Sequence, residues 1–407
     1  MDNKIYITNF WHTRDNYGAN LTAFALQEVL QQLGFENKLV NNPIFANEIK
    51  LKKFFGFKFQ QQHLKTTQKI DQNADVLNSD CEIFITGSDQ VFRPIFTQGM
   101  PEQYWLDFVK PDKKKIAFSA SFGVDKEQFL KENSQEIIEH MKNSLNSFDF
   151  ISVREKSGVE ICKDLFDVDA EWIIDPVFIL DKSRYDDLIQ SATEDYSNKI
   201  VSYILDINKE YKKAYKYLSE QYQVNVVEVA NSNESAENWL KAIRDCKILI
   251  TDSFHGMCFA IIFNKPFICL ANKQRGATRF ESVLEMLSID YQCIDNTQEI
   301  YEKDCIFKVD YDVVNKRIKE ERQRGLDYLK MALEAPVQVT QEKINARINF
   351  LEHKVCELEQ QATLKYQIRK ELWKLWLVIF HKYLPKPIKN IIRAVREKLC
   401  KIGRAHV

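Results

Sequence analysis

Short runs of β-branched and aromatic residues alternate with helical patterns from the N-terminus to about Asp310. This alternation is typical of βαβ units, which build parallel sheets covered by helices. The sequence predicts these strands: Lys4–Thr8, Glu82–Thr86, Lys115–Ser119, Phe150–Val153, Ala170–Ile174, Lys199–Leu205, Val224–Val229, Lys247–Thr251 and Pro266–Leu270. We therefore expect an α/β fold with two Rossmann-like domains, because 407 residues are too many for one small core.

A polar stretch from Leu180 to Asn198 interrupts the alternation. It predicts a boundary between an N-terminal domain of residues 1–185 and a C-terminal domain of residues 186–310, with a cleft between them. Strand signals stop after Asp310, and residues 311–335 read as one long closing helix that Pro336 ends. The other clear helical patterns are Leu21–Leu33, Gln128–Ser144, Lys209–Gln221, Ala236–Arg244 and Met257–Phe263.

Residues 340–362 carry a short heptad pattern. Its apolar residues are spaced 4, 3, 4 and 3 apart: Ile344, Ile348, Leu351, Val355 and Leu358. This spacing favours a parallel two-stranded coiled coil and hence a homodimer. Three heptads are short, so a helix that packs on its own domain remains an equal alternative.

Residues 366–401 form a basic amphipathic tail. Lys365–Val407 holds 12 basic and 2 acidic residues, which leaves 45 basic and 56 acidic residues before it. Trp373, Trp376 and Tyr383 lie among the lysines, as in a helix that lies in the membrane interface. The alternative is a core helix whose lysine stems cover apolar surface. The last residues, 402–407, are typical of a translated sequencing adapter.

The location expected from these features is cytoplasmic, at the inner face of the cytoplasmic membrane. The chain begins directly with a strand pattern and not with a signal peptide, and the apolar run Leu372–Phe380 is far shorter than a membrane span. The nine cysteines form no C-x-x-C pair, which favours reduced thiols and argues against a structural zinc site. No metal site has convincing ligand spacing, and no nucleic-acid motif accompanies the basic tail.

Polar clusters follow four of the predicted strands, at the carboxyl ends where open α/β sheets bind ligands. The residues of these clusters that we take as candidates are Asn16, Tyr17, Gly18, Ser88, Asp89, Arg154, Asp252, Ser253 and His255. Because parallel strands end at one edge of their sheet, we expect these residues to line one crevice.

His255 is the sharpest candidate because it opens an apolar helix, where free backbone N–H groups attract anions. Imidazole there can bind an anion and transfer protons near neutral pH. Asp252 and Ser253 suit either helix capping or ligand binding. Two or three of Arg154, Arg275 and Arg279, if aimed at one crevice, would bind a carboxylate or phosphate bidentately, although a single arginine is usually a solvated surface residue.

Six motifs occur in order over roughly residues 1–300. They are Asn16-Tyr17-Gly18-Ala19, Gly87-Ser88-Asp89-Gln90-Val91, Ser121-Phe122-Gly123, Ser152-Val153-Arg154-Glu155, Asp175-Pro176 and Thr251-Asp252-Ser253-Phe254-His255-Gly256. In this order they resemble the polysaccharide pyruvyl transferase family. The sequence departs from the family at Phe92-Arg93, where Trp-Asn is usual, and at Leu21-Thr22, where Leu-Gln is common.

The resemblance implies a GT-B-like fold and transfer of a pyruvyl group from phosphoenolpyruvate to a sugar of a surface or capsular polysaccharide, as a cyclic ketal. Phosphoenolpyruvate would be the donor substrate, with no further cofactor, and the glycan acceptor would be free or lipid-linked. His255 would then serve as acid or phosphate partner. Asp89 would serve as base for the sugar hydroxyl or as stabiliser of the oxocarbenium-like cation, unless it only forms a turn.

Two other functions fit the same sequence. A GT-B glycosyltransferase with a nucleotide-sugar donor would use the same two-domain architecture, since fold does not fix function. A non-catalytic dimeric scaffold held at the membrane by its tail is the second alternative.

Overall fold

The computed structural model describes residues 4–11, 16–41, 55–70, 74–97, 101–230, 234–270, 276–289, 293–294, 296–302 and 309–383. The chain divides into a compact first unit, residues 1–347, and a second unit, residues 348–407. The first unit contains every strand among the described residues.

The first sheet has six parallel strands in the order β2-β1-β3-β4-β5-β6. They are β1 Lys4–Thr8, β2 Glu36–Leu39, β3 Ile83–Thr86, β4 Lys114–Ala120, β5 Phe150–Val153 and β6 Glu171–Trp172. All seven residues of β4 are buried, as expected for a strand covered by helices on both faces. The sequence analysis missed β2, because its polar residues Glu36, Asn37 and Lys38 hide an edge strand.

The second sheet has four parallel strands in the order β10-β9-β7-β8. They are β7 Ile200–Tyr203, β8 Val226–Glu228, β9 Ile248–Thr251 and β10 Phe267–Cys269. Each of the nine predicted strands therefore exists, most of them slightly shorter than predicted.

Both sheets contain a point where the strand order reverses. In the first sheet it lies between β1 and β3, which end side by side at the paired residues Thr8 and Thr86. In the second it lies between β7 and β9, which end at the paired residues Tyr203 and Thr251. Such switch points open a crevice at the carboxyl ends of the strands, where open α/β proteins bind ligands.

The helices of the first unit are α1 Tyr17–Gln32, α2 Phe55–His63, α3 Pro101–Tyr104, α4 Lys126–Glu132, α5 Gln135–Leu145, α6 Lys156–Ile161, α7 Pro176–Ile179, α8 Lys182–Ile189, α9 Lys209–Tyr222, α10 Ala236–Asp245, α11 Phe254–Ile262, α12 Thr278–Met286, α13 Glu299–Glu302 and α14 Tyr311–Glu334. The prediction of one helix over Gln128–Ser144 was wrong. Asn133 is extended, and Ser134 caps a new helix by accepting a hydrogen bond from the Ile137 N–H.

The long helix α14 brings the chain back to the N-terminal sheet. The Arg322 side chain donates hydrogen bonds to the carbonyl oxygens of Phe178 and Leu180, and the ring of Tyr328 stacks 6.4 Å from that of Phe118. Gly325 lies where a Cβ would come within 2.7 Å of the end of the Ile179 side chain, so a larger residue there would require Ile179 to move. The helix therefore packs against the N-terminal sheet and the short helix Pro176–Ile179.

The last described helix is α15, Gln341–Tyr383, which begins in the first unit and continues into the second. At its start the buried Lys343 ammonium lies 2.8 Å from both carboxylate oxygens of Asp149. The predicted coiled-coil segment and the start of the predicted tail are thus parts of one continuous helix. Residues 384–407 lie outside the described part of the chain, as do the side chains of residues 369–383.

None of the helices in the described ranges is both long and apolar enough to cross a membrane. The predicted membrane-surface location of the tail stays a prediction.

Candidate active site

Arg154 occupies the centre of the candidate site. It directly follows β5, which delivers its fully buried guanidinium between two carboxylates. Nη1 donates to Asp175 Oδ2 at 2.6 Å, and Nη2 donates to Asp89 Oδ1 at 3.0 Å. The third donor, Nε, is buried and has no partner among the described residues. Arg154 is therefore mainly an organiser of two acidic groups, and its Nε–H remains unpaired among the described residues.

Asp175 links three elements at this point. It precedes Pro176 and caps α7 by accepting the Val177 N–H at Oδ1. Its Oδ2 accepts from Arg154 and lies 3.1 Å from the Ser88 hydroxyl, whose single proton can serve either Asp175 or the Ser119 carbonyl oxygen. Burial alone would raise the pKa of Asp175, but the nearby His255 and Arg154 hold it well below its usual range. Asp175 is thus a buried carboxylate that stays ionised.

His255 reaches this carboxylate from the second sheet. It lies in the first turn of α11, after the carboxyl end of β9, and it is buried. Its Nε2 atom lies 3.0 Å from the Thr22 hydroxyl of α1 and 3.8 Å from Asp175 Oδ2. The second distance is too long for a direct hydrogen bond, so Asp175 acts on the imidazole through its charge.

Gly18 makes room for the imidazole. A Cβ at this position would lie 2.1 Å from His255 Nδ1, a distance at which one of the groups must move. The glycine in the first turn of α1 is therefore needed for close approach and not for an unusual backbone angle.

A second buried arginine faces the same aromatic ring as Arg154. The guanidinium carbons of Arg154 and Arg279 lie 4.8 and 5.2 Å from the centre of the Phe254 ring. Arg279 Nε also donates to the Gly276 carbonyl oxygen at 3.3 Å. Burial and the neighbouring charge of Arg154 lower the pKa of Arg279 to about 10. An anion between these cations would relieve their repulsion.

Asp89 lies three residues after the end of β3, in an unusual backbone conformation with φ 85°. Its Oδ1 accepts two hydrogen bonds, one from the backbone N–H of Gln90 at 2.9 Å and one from Arg154. No residue in the described ranges donates to its other oxygen, Oδ2, which leaves that atom able to accept a proton or a hydroxyl.

The sequence analysis gave no role to Glu155, which the structure buries beside Arg154. Its Oε1 accepts the backbone N–H groups of Phe122 and Gly123 at 2.5 and 3.0 Å, while Oε2 is buried without a partner among the described residues. Burial raises the pKa of Glu155, and the charge of Arg154 only partly offsets this effect. Glu155 therefore ties the loop after β4 to the end of β5.

Three of the predicted ligand residues also have structural partners. Asn16 caps α1 by accepting the Ala19 N–H. Tyr17 stacks on Trp239, with ring centres 5.0 Å apart, and donates to the Glu234 carbonyl oxygen. The Asp252 carboxylate accepts the backbone N–H groups of Leu205 and Asp206.

Ser253, not Asp252, caps α11, by accepting the Gly256 N–H. Arg275 lies outside the described residues. The structure thus brings together His255, Asp89, Arg154, Arg279, Ser88 and Gly18 of the predicted set.

The two departures from the family pattern both have partners. Thr22 supplies the hydroxyl that contacts His255. Arg93 is buried and binds both carboxylate oxygens of Glu132, at 2.9 and 2.6 Å. The first departure therefore changes a direct neighbour of the candidate acid, whereas the second adds an ion pair at the edge of the site.

The structure is similar to solved proteins at low sequence identity. The S. aureus MnaA-UDP co-structure matches with TM-score 0.50 and 12% identity, over 82% of this chain and 97% of that chain. The UDP-GlcNAc 2-epimerase from Neisseria meningitidis, bound to UDP-GlcNAc, matches with TM-score 0.48 and 12% identity, over 86% of this chain and 100% of that chain. The E. coli ADP-heptose LPS heptosyltransferase II matches with TM-score 0.31 and 10% identity, over 79% of this chain and 99% of that chain.

The first of these similarities supports the fold alone and confirms the predicted class, an α/β protein of two GT-B-like, Rossmann-like halves with a helical C-terminal extension. A search of curated proteins found no significant match. A sequence model of the polysaccharide pyruvyl transferases matches residues 16–274, which is more than half of the chain and includes His255, Arg154 and Asp89. The chain therefore belongs to the polysaccharide pyruvyl transferase family.

Proposed function

We propose that this transferase moves a pyruvyl group from phosphoenolpyruvate to a sugar of a cell-surface or capsular polysaccharide precursor and closes it as a cyclic ketal. The observation that carries the proposal is the placement of His255 beside the ionised Asp175, next to two buried arginines. Phosphoenolpyruvate is the only donor substrate required, and no further cofactor takes part.

The donor fits the charges of the site. Phosphoenolpyruvate carries a carboxylate and a phosphate on one small carbon frame, so its binding needs several cations. Two carboxylates already neutralise the Nη groups of Arg154, which leaves its Nε as a donor. Arg279 has a depressed pKa because of its burial and of Arg154, so binding an anion stabilises its charged form. Arg279 is accordingly the main ligand for phosphoenolpyruvate.

His255 is the proton donor in this proposal. Protonation of the methylene carbon of phosphoenolpyruvate makes C2 resemble an oxocarbenium ion, and the first sugar hydroxyl adds there. The C2–O bond to phosphate then breaks, and a second hydroxyl of the same sugar forms the second C–O bond. One hydroxyl proton balances the new methyl group, and the other leaves with inorganic phosphate.

Asp89 is the candidate base for the sugar hydroxyl. Its Oδ2 accepts no hydrogen bond from the described part of the protein, while Arg154 fixes the orientation of the carboxylate through Oδ1. A positioned acid or base contributes about 10²–10⁴-fold to the rate.

The basic tail extends the proposal to the location of the protein. A peripheral position at the inner face of the cytoplasmic membrane would bring the active site to a lipid-linked acceptor. The excess of 12 basic over 2 acidic residues in Lys365–Val407 supports this location, since each cation near an anionic surface contributes about 1 kcal/mol.

Incubation with phosphoenolpyruvate and a panel of synthetic or lipid-linked glycosides tests the activity. We expect phosphate release together with a gain on the glycoside of the mass of pyruvate less one water. Parallel incubations with nucleotide sugars test the alternative glycosyltransferase. Sugar transfer from a nucleotide donor, with no mass gain from phosphoenolpyruvate, would overturn the proposal.

A further inference from the structure

The exposed face of α15 in the second unit carries an apolar stripe. The exposed fractions of Ile348, Leu351, Val355 and Leu358 are 46, 43, 55 and 64%. These four residues, which we call the seam, are spaced 3, 4 and 3 apart and so fall on one face of the helix. A helix of a water-exposed protein buries such a stripe against a partner.

The residue types on the seam select a two-stranded partner. Ile348 and Val355 are β-branched and occupy the a positions of the heptad, while Leu351 and Leu358 occupy the d positions. β-Branched residues at a with leucine at d favour a parallel dimer over trimers and tetramers. The sequence of the seam therefore suits a second copy of the same helix.

The charges beside the seam select the orientation. The g positions hold the basic residues Arg347 and Lys354, and the e positions that follow them hold the acidic residues Glu352 and Glu359. In a parallel, in-register pair each g residue faces the next e residue of the other helix, so Lys354 meets Glu359 of the second copy. In an antiparallel pair glutamates would face glutamates and basic residues would face basic residues, which is unfavourable.

Both basic residues also have contacts within their own chain. Arg347 donates to the Phe108 carbonyl oxygen at 2.7 Å within the first unit, and the Lys354 ammonium lies 5.7 Å from the centre of the Phe350 ring. The Lys354–Glu359 pair lies wholly within the second unit, and it occurs twice in a symmetric dimer.

We propose that two copies of this chain associate through Ile348–Leu358 as a parallel, in-register coiled coil. The proposal is independent of the pyruvyl transfer reaction, since none of these residues belongs to the candidate active site. A seam this short predicts a weak association that depends on protein concentration.

Light scattering after size exclusion, over a range of concentrations of the full-length protein, tests the association. We expect a dimer that dissociates on dilution, and Leu351→Glu should remain monomeric at every concentration. Gln360→Glu adds the same charge on the opposite side of the helix and should dimerise like the wild type. Circular dichroism of both variants checks that the fold is retained.

Charge exchange tests the orientation. Lys354→Glu and Glu359→Lys alone should each weaken the dimer about three- to tenfold, because two attractive pairs become repulsive. The double variant K354E/E359K should restore the wild-type dissociation constant.

The double variant Leu358→Cys, Cys356→Ser provides a second test of the orientation. In a parallel, in-register pair the two d-position residues face each other, so oxidation should link the two chains. An antiparallel pair centred on the seam would place Leu358 opposite Ile348, and no such disulfide would form. A monomeric wild type at all concentrations, equal dimerisation of Leu351→Glu, or failure of the double variant to recover would each overturn the proposal.

Discussion

His255 Nε2 lies 3.0 Å from the Thr22 hydroxyl. His255 follows strand β9 of the second sheet, and Thr22 lies in α1, which follows β1 of the first sheet. The same Nε2 atom lies 3.8 Å from Oδ2 of Asp175, which follows β6 of the first sheet. The candidate acid and its neighbours therefore come from both halves of the first unit. Either half alone lacks part of the site.

Substitution of Gly18 by alanine should disable His255 without unfolding the protein. The new Cβ would lie 2.1 Å from Nδ1, so the imidazole must move. A displacement of about 1 Å can reduce turnover by about 10²-fold. Gly34→Ala is the matched control, because nothing lies within 4 Å of a Cβ there, although its φ of 88° costs about 1 kcal/mol of stability. Equal turnover of the two variants would show that His255 does not act where we place it.

Replacement by glutamine should lower stability at Arg154 and weaken donor binding at Arg279. Arg154→Gln leaves Asp175 and Asp89 without their cation and should cost about 3–5 kcal/mol of unfolding free energy. Arg279→Gln removes a charge whose pKa is already depressed, so thermal stability should not fall. Its effect should appear as a roughly ten- to hundredfold higher KM for phosphoenolpyruvate, equivalent to about 1.5–3 kcal/mol. Thermal melts and donor titrations separate the two, and an unchanged KM for Arg279→Gln would remove it from the donor site.

His140 predicts a dependence of stability on pH. Burial opposes its charge, but the 3.0 Å hydrogen bond with Asp107 and the charge of that carboxylate outweigh this and raise the pKa of His140 above 6.5. A raised pKa in the folded state means that the contribution is fully present below the unfolded pKa and disappears as pH rises through the folded value. The difference in Tm between the wild type and His140→Gln should therefore be largest below about pH 6.5 and shrink at alkaline pH. A difference that grows with pH would contradict this assignment.

Truncation after Ala362 tests the membrane-surface proposal. Full-length protein should sediment with vesicles that contain anionic lipid at low salt, and the truncated protein should not. Turnover on a water-soluble glycoside should remain, while turnover on a lipid-linked acceptor should fall. Equal sedimentation of both proteins would show that the tail does not bind the membrane.

Much of this architecture follows from the sequence. Runs such as Ile248–Thr251 are wholly buried, so their apolar composition marks them clearly, and the polar residues after them locate the site. The missed strand Glu36–Leu39 lies at the edge of its sheet, where polar residues are tolerated. The break before Ser134 was missed because helical periodicity continues on both sides of it.

The partners within the site were harder to predict. Asp175 precedes a proline at the start of a short helix, where an acidic residue is an ordinary cap. Its pairing with Arg154 and its proximity to His255 depend on contacts between residues far apart in sequence. Thr22 carries no local signal at all, since a threonine inside a buried helical face is common.

Carbon-13-labelled phosphoenolpyruvate gives the most direct test of the proposed reaction. The wild type, supplied with a glycoside acceptor that supports phosphate release, should place all three labelled carbons in a ketal on the sugar, as read by NMR of the purified glycan. His255→Gln, with an unchanged melting temperature, should place at least about 10²-fold less label there. Phosphate release without label in the glycan, or full incorporation by His255→Gln, would contradict the account.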